Sequence, residues 1–218
     1  MELSVEGFAE DLVKYLEALY TAREWLIKRS RDVLTLCRKA IATCMRGDTG
    51  SSEHVNVLVR VFKEYREFAK AYPELYFSNF YRSIESEYVE AVELCYAIKE
   101  GGLLPYKSLD VAPASFILGL LDVIGELKRH SLRLIERGSY EESLKVFNIA
   151  ESVFNQVEEL AFAENIIPGL KRKLDIYRKV LDNWKELLID IISREKLRKV
   201  LEGTKTSRKV AEDGMMDG

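Results

Sequence analysis

Asp122 and Glu126 are the acids whose setting is hardest to reconcile with an ordinary surface helix. They lie in Phe116-Ile117-Leu118-Gly119-Leu120-Leu121-Asp122-Val123-Ile124-Gly125-Glu126-Leu127, a run apolar nearly all round, as in a buried helix. Four residues apart, they share a helix face. Gly119 and Gly125 lie beside them, and a glycine inside a helix costs about 1 kcal/mol against alanine. Two such glycines next to two carboxylates point to close approach by a backbone, a ligand or both. Glu87 and Glu90 repeat the theme three residues apart, within Ser86-Glu87-Tyr88-Val89-Glu90-Ala91. If the two helices pack side by side, four carboxylates converge. Unpaired buried carboxylates are costly or take up protons. A divalent cation removes that cost, and an oxygen-only donor set favours Mg2+ or Mn2+ over zinc or copper. The competing reading leaves these acids solvated or ion-paired with Arg82, Arg129 or Arg133.

Basic residues flank the acids. Residues 2–22 carry five acids and one base, a net of −4, whereas residues 23–46 carry seven bases and two acids, a net of +5. Lys28, Arg31, Arg38 and Arg46 fall along roughly one face of that segment. Lys128, Arg129, His130 and Arg133 follow the second acid pair, and Arg82 precedes the first beside Phe80 and Tyr81. Cationic and aromatic side chains around a metal-binding acid cluster suit a phosphodiester substrate. The bases hold phosphates without reading sequence, and the aromatics stack on unpaired bases. The candidates for holding a phosphodiester backbone are Lys28, Arg31, Arg38, Arg82, Arg129 and Arg133. The alternative is an ordinary solvated helix face.

Other chemistries lose their parts. Only two histidines occur, His54 and His130. The residues three before them are Ser51 and Leu127, so the Glu-x-x-His pair of a di-iron bundle is missing. Cys37, Cys44 and Cys95 form no CxxC. A disulfide framework or zinc site is not expected, and the three read as small core residues. No apolar run approaches the roughly 18–20 residues of a membrane span. Met1-Glu2-Leu3-Ser4-Val5-Glu6 lacks the basic start of a signal peptide, so a cytoplasmic protein is expected.

The elements that must position these residues are helices. The 218-residue chain has 47% hydrophobic and 32% charged residues, with only 4 Pro and 12 Gly. That composition suits one folded domain with a sizeable core. Apolar residues recur at helical spacing almost throughout. The pattern predicts helices over about 4–46, 51–72, 73–100, 113–138, 139–164 and 168–202. The one clear internal loop is 101–112. The expected architecture is an all-α bundle of six to seven long helices, residues 1–202, with a flexible tail over 203–218.

At these residues the chain resembles the translin superfamily. Ser86-Glu87-Tyr88-Val89-Glu90-Ala91 and the run from Leu118 to Arg129 look like its signatures, closer to translin-associated factor X than to translin. Arg23-Glu24, Ser30-Arg31-Asp32 and Phe80-Tyr81-Arg82 fit in the same order. The resemblance covers about residues 20–200. It implies a fold of about seven helices and a hollow, octamer-like shell that encloses RNA, single-stranded or a short duplex. It also implies a Mg2+-dependent endoribonuclease centre, its catalytic acids carried over onto Glu87, Glu90 and Asp122, with Glu126 as a further ligand or a base for water. The alternative is a non-catalytic shell for RNA or single-stranded DNA, as in translin. The loop at 101–112 is shorter than in the factor X proteins, which favours a homo-oligomer over a hetero-complex.

Overall fold

The computed structural model describes residues 8–216, with side chains from 9 to 203. The elements are α1 (Phe8–Arg46), α2 (Ser51–Lys70), the single turn α3 (Pro73–Tyr76), α4 (Asn79–Glu100), α5 (Pro113–Glu136), α6 (Tyr140–Glu158) and α7 (Leu170–Met216). Short 3-10 turns lie at Tyr106–Ser108 and Ala161–Asn165. The described residues contain no strand, and the all-α expectation holds.

Local chemistry sets the boundaries. Ser78 caps α4 by accepting from the Tyr81 amide at 3.2 Å, and Gly101 ends that helix at φ 75°. This cap divides the single helix expected over 73–100 into α3 and α4. Pro113 opens α5, where its missing N–H costs nothing. Glu164 caps α7, accepting from the amides of Gly169 at 3.0 Å and Lys171 at 2.7 Å. The α7 backbone then stays helical to Met216, beyond the end expected near Glu202. Asp217 and Gly218 lie outside the described residues, as do residues 1–7.

Two apolar cores share the central pair α4 and α5. One joins α1 and α2 to α4 through Leu26, Val33, Phe62, Tyr65 and Val89. The other joins α5, α6 and α7 through Leu121, Ile124, Phe147, Leu174 and Trp184. Trp184 donates to the Ser131 hydroxyl at 3.0 Å, and Ser131 bonds Ser143 at 2.7 Å, so three helices meet at one polar point. Gly119 sets how close α4 and α5 come, because a Cβ there would lie 2.7 Å from the Ser86 carbonyl oxygen and 2.8 Å from Val89.

One expectation about the cysteines is corrected. Cys44 on α1 and Cys95 on α4 form a disulfide with a Cα–Cα distance of 5.4 Å, and only Cys37 is the free, buried thiol foreseen. Helix packing supplies the pairing: α1 lies against α4, which brings together two cysteines 51 residues apart.

Candidate active site

The contact at Gly119 brings the acidic faces of α4 and α5 together. Glu87 is exposed, while Glu90, Asp122 and Glu126 are half-buried. Burial, followed by the negative charges of Asp122, Glu87 and Glu126, raises the Glu90 carboxyl to about 8. Lys173 opposes that rise. Glu90 therefore feels the other three acids.

Asp122 and Glu126 are nonetheless turned to separate partners. Asp122 Oδ2 lies 2.5 Å from Lys173 Nζ, and Oδ1 accepts from the Tyr177 hydroxyl at 2.9 Å. Burial and the Asp122 charge push the Tyr177 hydroxyl upward. One Arg129 nitrogen donates to both Glu126 oxygens, at 2.7 and 2.9 Å. No group of three or more His, Cys, Asp or Glu side chains among the described residues is arranged to hold a metal ion.

An open cleft of about 750 Å³ runs past the acids. Glu87, Glu90 and Glu126 line it with Arg38 and Arg46 of α1 and with Arg129, Arg133 and Arg137 at the end of α5. Ile41, Ala42 and Met45 add an apolar strip. Glu136 lines it too, so five guanidiniums and four carboxylates share one surface. Arginine is suited to this place, since its planar fork matches phosphate oxygens.

The structure separates the basic residues that the sequence grouped. Arg38, Arg129 and Arg133 line the cleft; Lys28, Arg31 and Arg82 do not. Lys28 and Arg31 are exposed further up α1, two to three turns before Arg38. Arg82 is half-buried, and its carbonyl accepts from Ser86 at 3.0 Å and Ser115 at 3.5 Å. Arg137, Lys173 and Tyr177 went unnoticed in the sequence. Arg137 follows a charged helix end, and a Lys and a Tyr four apart on α7 resemble any helix face.

Two acids of α4 are more deeply buried than the candidates, and sequence reasoning passed over both. Glu85 and Glu93 are fully buried. Glu85 accepts from the Ala112 amide at 3.1 Å and the Tyr81 hydroxyl at 3.1 Å. Glu93 accepts from the Leu104 amide at 3.0 Å, while its other oxygen has no partner. They anchor the 101–112 loop to α4. His130 is half-buried, its Nδ1 lacks a partner, and burial followed by Arg133 and Arg137 holds its pKa down.

Comparison with known proteins agrees with this architecture. Residues 21–195 match the sequence model of the translin family. An uncharacterised protein of Methanocaldococcus jannaschii is 29% identical over 195 residues, covering 88% of this chain and 86% of that one. The crystal structure of AfC3PO superposes with a TM-score of 0.78 at 27% identity, covering 85% of this chain and 97% of that one. The AfC3PO complex with duplex RNA gives 0.76 at 27% identity, covering 85% and 96%. Apo-NeC3PO gives 0.77 at 24% identity, covering 86% and 99%, a likeness of fold. A match over four-fifths of the length, on the helices that carry the acids and the cleft, leaves one conclusion: the chain belongs to the translin family.

Proposed function

We propose that this protein is a Mg2+-dependent endoribonuclease that holds RNA inside a homo-oligomeric helical shell. The observation that carries this reading is the single cleft lined by both Arg38, Arg46, Arg129, Arg133 and Arg137 and the carboxylates of Glu87, Glu90, Glu126 and Glu136, with the Asp122 charge felt at Glu90. The arginines hold phosphates, and the carboxylates are hard oxygen donors of the kind Mg2+ or Mn2+ prefers. The residues that would hold the ion are Glu87, Glu90 and Asp122, with Glu126 as a further ligand or a base for water. The ion supplies Lewis-acid polarisation of the phosphate and a lowered pKa for bound water. The likeness to AfC3PO bound to duplex RNA supports RNA as the ligand.

Self-assembly has its own support. Leu12, Leu16 and Tyr20 recur every fourth residue on α1 and are all exposed, as are Ile189 and Leu197 on α7. Apolar stripes of this kind mark protein interfaces. No described helix is long and apolar enough to cross a membrane, and a cytoplasmic site of action goes with this reading.

The second reading is a shell that binds RNA or single-stranded DNA without cutting it. It is favoured by one observation: Asp122 is engaged by Lys173 and Tyr177, and among the described residues no three acids stand ready for a metal. Labelled RNA incubated with the purified protein in Mg2+ or EDTA separates the two. Cleavage in Mg2+ alone, lost in Glu90→Ala and Asp122→Asn with RNA binding retained, is the expected result. The fragments should carry 5′-phosphate and 3′-hydroxyl ends, because His54 on α2 and His130 on α5 supply no acid–base pair. Full activity in Asp122→Asn overturns the assignment of the acids.

A further inference from the structure

A second cleft, of about 700 Å³, opens between α5, α6 and the loop that joins α4 to α5. Leu120 lines it, whereas Arg129 lines the arginine cleft. These two residues are nine apart on α5, about two and a half helical turns, so the clefts face opposite sides of that helix. Their chemistry is opposite too. The chain is 32% charged, yet among the described residues that line this cleft there is no Asp, Glu, Lys, Arg or His. A charged ligand would give up water here without gaining a partner. The lining suits an uncharged one.

The apolar side of the cleft is built before any ligand arrives. Tyr106 of the loop stands edge-on to Phe116 of α5, with ring centroids 5.0 Å apart. Its hydroxyl donates to the Val111 carbonyl at 3.0 Å, and the ring is still 39% exposed. The loop that carries it is tied to buried Glu93 through the Leu104 amide. The polar side comes from α6. Asn148, Ser152 and Gln156 recur every fourth residue, so they form one row along that helix, and all three are exposed and line the cleft. Gln156 Nε2 donates to Ser152 Oγ at 3.4 Å. The Gln156 carbonyl oxygen and the Asn148 amide have no partner among the described residues. A primary amide presents a donor and an acceptor in one plane, the arrangement that pairs with the edge of a base.

We propose that this cleft binds an uncharged heteroaromatic ring of the nucleobase class, its face against Tyr106 and its polar edge toward Asn148 and Gln156. The ring face supplies affinity for any base, and the amides choose among them. The ligand is the base itself, in a free nucleoside or at an unpaired position of a strand, because nothing in the cleft grips a phosphate. The site owes nothing to the acids of α4 and α5 or to a metal ion.

The test is saturation-transfer difference NMR on the full-length assembled protein in EDTA, with the four ribonucleosides as probes. At least one should receive saturation, more at its base protons than at its ribose protons. Tyr106→Ala should weaken it by on the order of tenfold, the scale of one lost base–aromatic contact. Ser152→Trp, at an exposed position of α6, should fill the cleft and abolish the signal. If Tyr106→Ala disturbs the loop, Ser152→Trp and Gln156→Leu carry the test. The nucleoside 5′-monophosphate should bind no more tightly than the nucleoside, and a tighter monophosphate overturns the uncharged assignment. A single-stranded oligoribonucleotide separates the two sources: it displaces the nucleoside if the base belongs to a strand and leaves it bound if the ligand is free. No saturation of any nucleoside by wild type overturns the proposal, including silence because a second copy of the chain covers the cleft. Equal saturation by wild type and Ser152→Trp overturns it as well. Both results leave the ribonuclease reading standing, since that reading is tested on the acids across α5.

Discussion

A Cβ on Gly119 of α5 would lie 2.7 Å from the carbonyl oxygen of Ser86 on α4, so the two helices meet through a missing side chain. Glu87 follows Ser86 directly, and Asp122 lies three residues beyond Gly119. The same contact that packs the bundle therefore sets the spacing of the acids. Gly119→Ala adds a methyl group where neither the backbone carbonyl nor the β-branched Val89 can yield. Overpacking of this kind costs roughly 1–3 kcal/mol, against a helix-propensity gain of about 1 kcal/mol. The net outcome expected is a loss of up to about 2 kcal/mol in urea unfolding. Gly125→Ala makes the useful comparison. Its Cβ would meet Tyr177 at 3.6 Å, an ordinary contact, so that variant should be neutral or slightly more stable.

Stability should fall as pH rises through neutrality. Burial raises Glu93 to about 7, from an ordinary value of 4.5. Between those two values the folded protein keeps a proton that the unfolded chain has lost, so the unfolded state binds fewer protons and stability declines with increasing pH. The contribution of Glu93 is complete below its unfolded value and gone above its folded one. Glu90, raised to about 8, acts in the same direction. Thermal unfolding in EDTA at pH 5 and pH 8 should show the decline, and Glu93→Gln should flatten it. A melting temperature that rises from pH 5 to pH 8 in wild type contradicts this account.

RNA affinity should report which arginines touch phosphate. Each neutralised phosphate adds about 0.9 to the slope of log K against log salt on a duplex. Arg38→Ala and Arg133→Ala each remove a cleft-lining guanidinium and should lower the slope by roughly one. Lys28→Ala lies outside the cleft and should leave it nearly unchanged. An equal drop at Lys28 would move the RNA path up along α1.

Reducing the Cys44–Cys95 bond should destabilise the fold. The bond closes a 51-residue segment of chain, worth about 4 kcal/mol of denatured-state entropy. Both sulfurs are shielded, Cys44 at 6% and Cys95 at 7% exposure, so dithiothreitol should act slowly on the native protein. Denaturant unfolding with and without reductant measures the difference. Coincident curves, with the bond shown to be reduced, rule out a stabilising role.

Much of this molecule is legible in its sequence because helical periodicity and punctuation agree. Pro113 and Gly138 bracket α5 at both levels, and Gly119 beside Asp122 already marks a close approach. What escapes is whatever depends on a third element. Lys173 and Tyr177 gain their meaning only when α7 lies across α5. Cys44 and Cys95 look like two core residues until α1 packs on α4. Glu85 and Glu93 were hidden by a charged helix, where acids normally face water, and only the loop amides explain their burial. The Ser78 cap is a short-range signal, yet the run of aromatics around it reads as continuous helix.

The segment between α4 and α5 is moored like a plank between two posts. Leu104 and Ala112 are eight residues apart and hang from Glu93 and Glu85, which are eight residues apart in the opposite direction. Arg66 of α2 adds a third mooring, donating to the Asp110 carbonyl at 2.7 Å. Each end is secured independently of the chain between, so the span can change length without slackening either helix. Residues added within the span should therefore leave both moorings, and with them the acids of α4 and α5, in place.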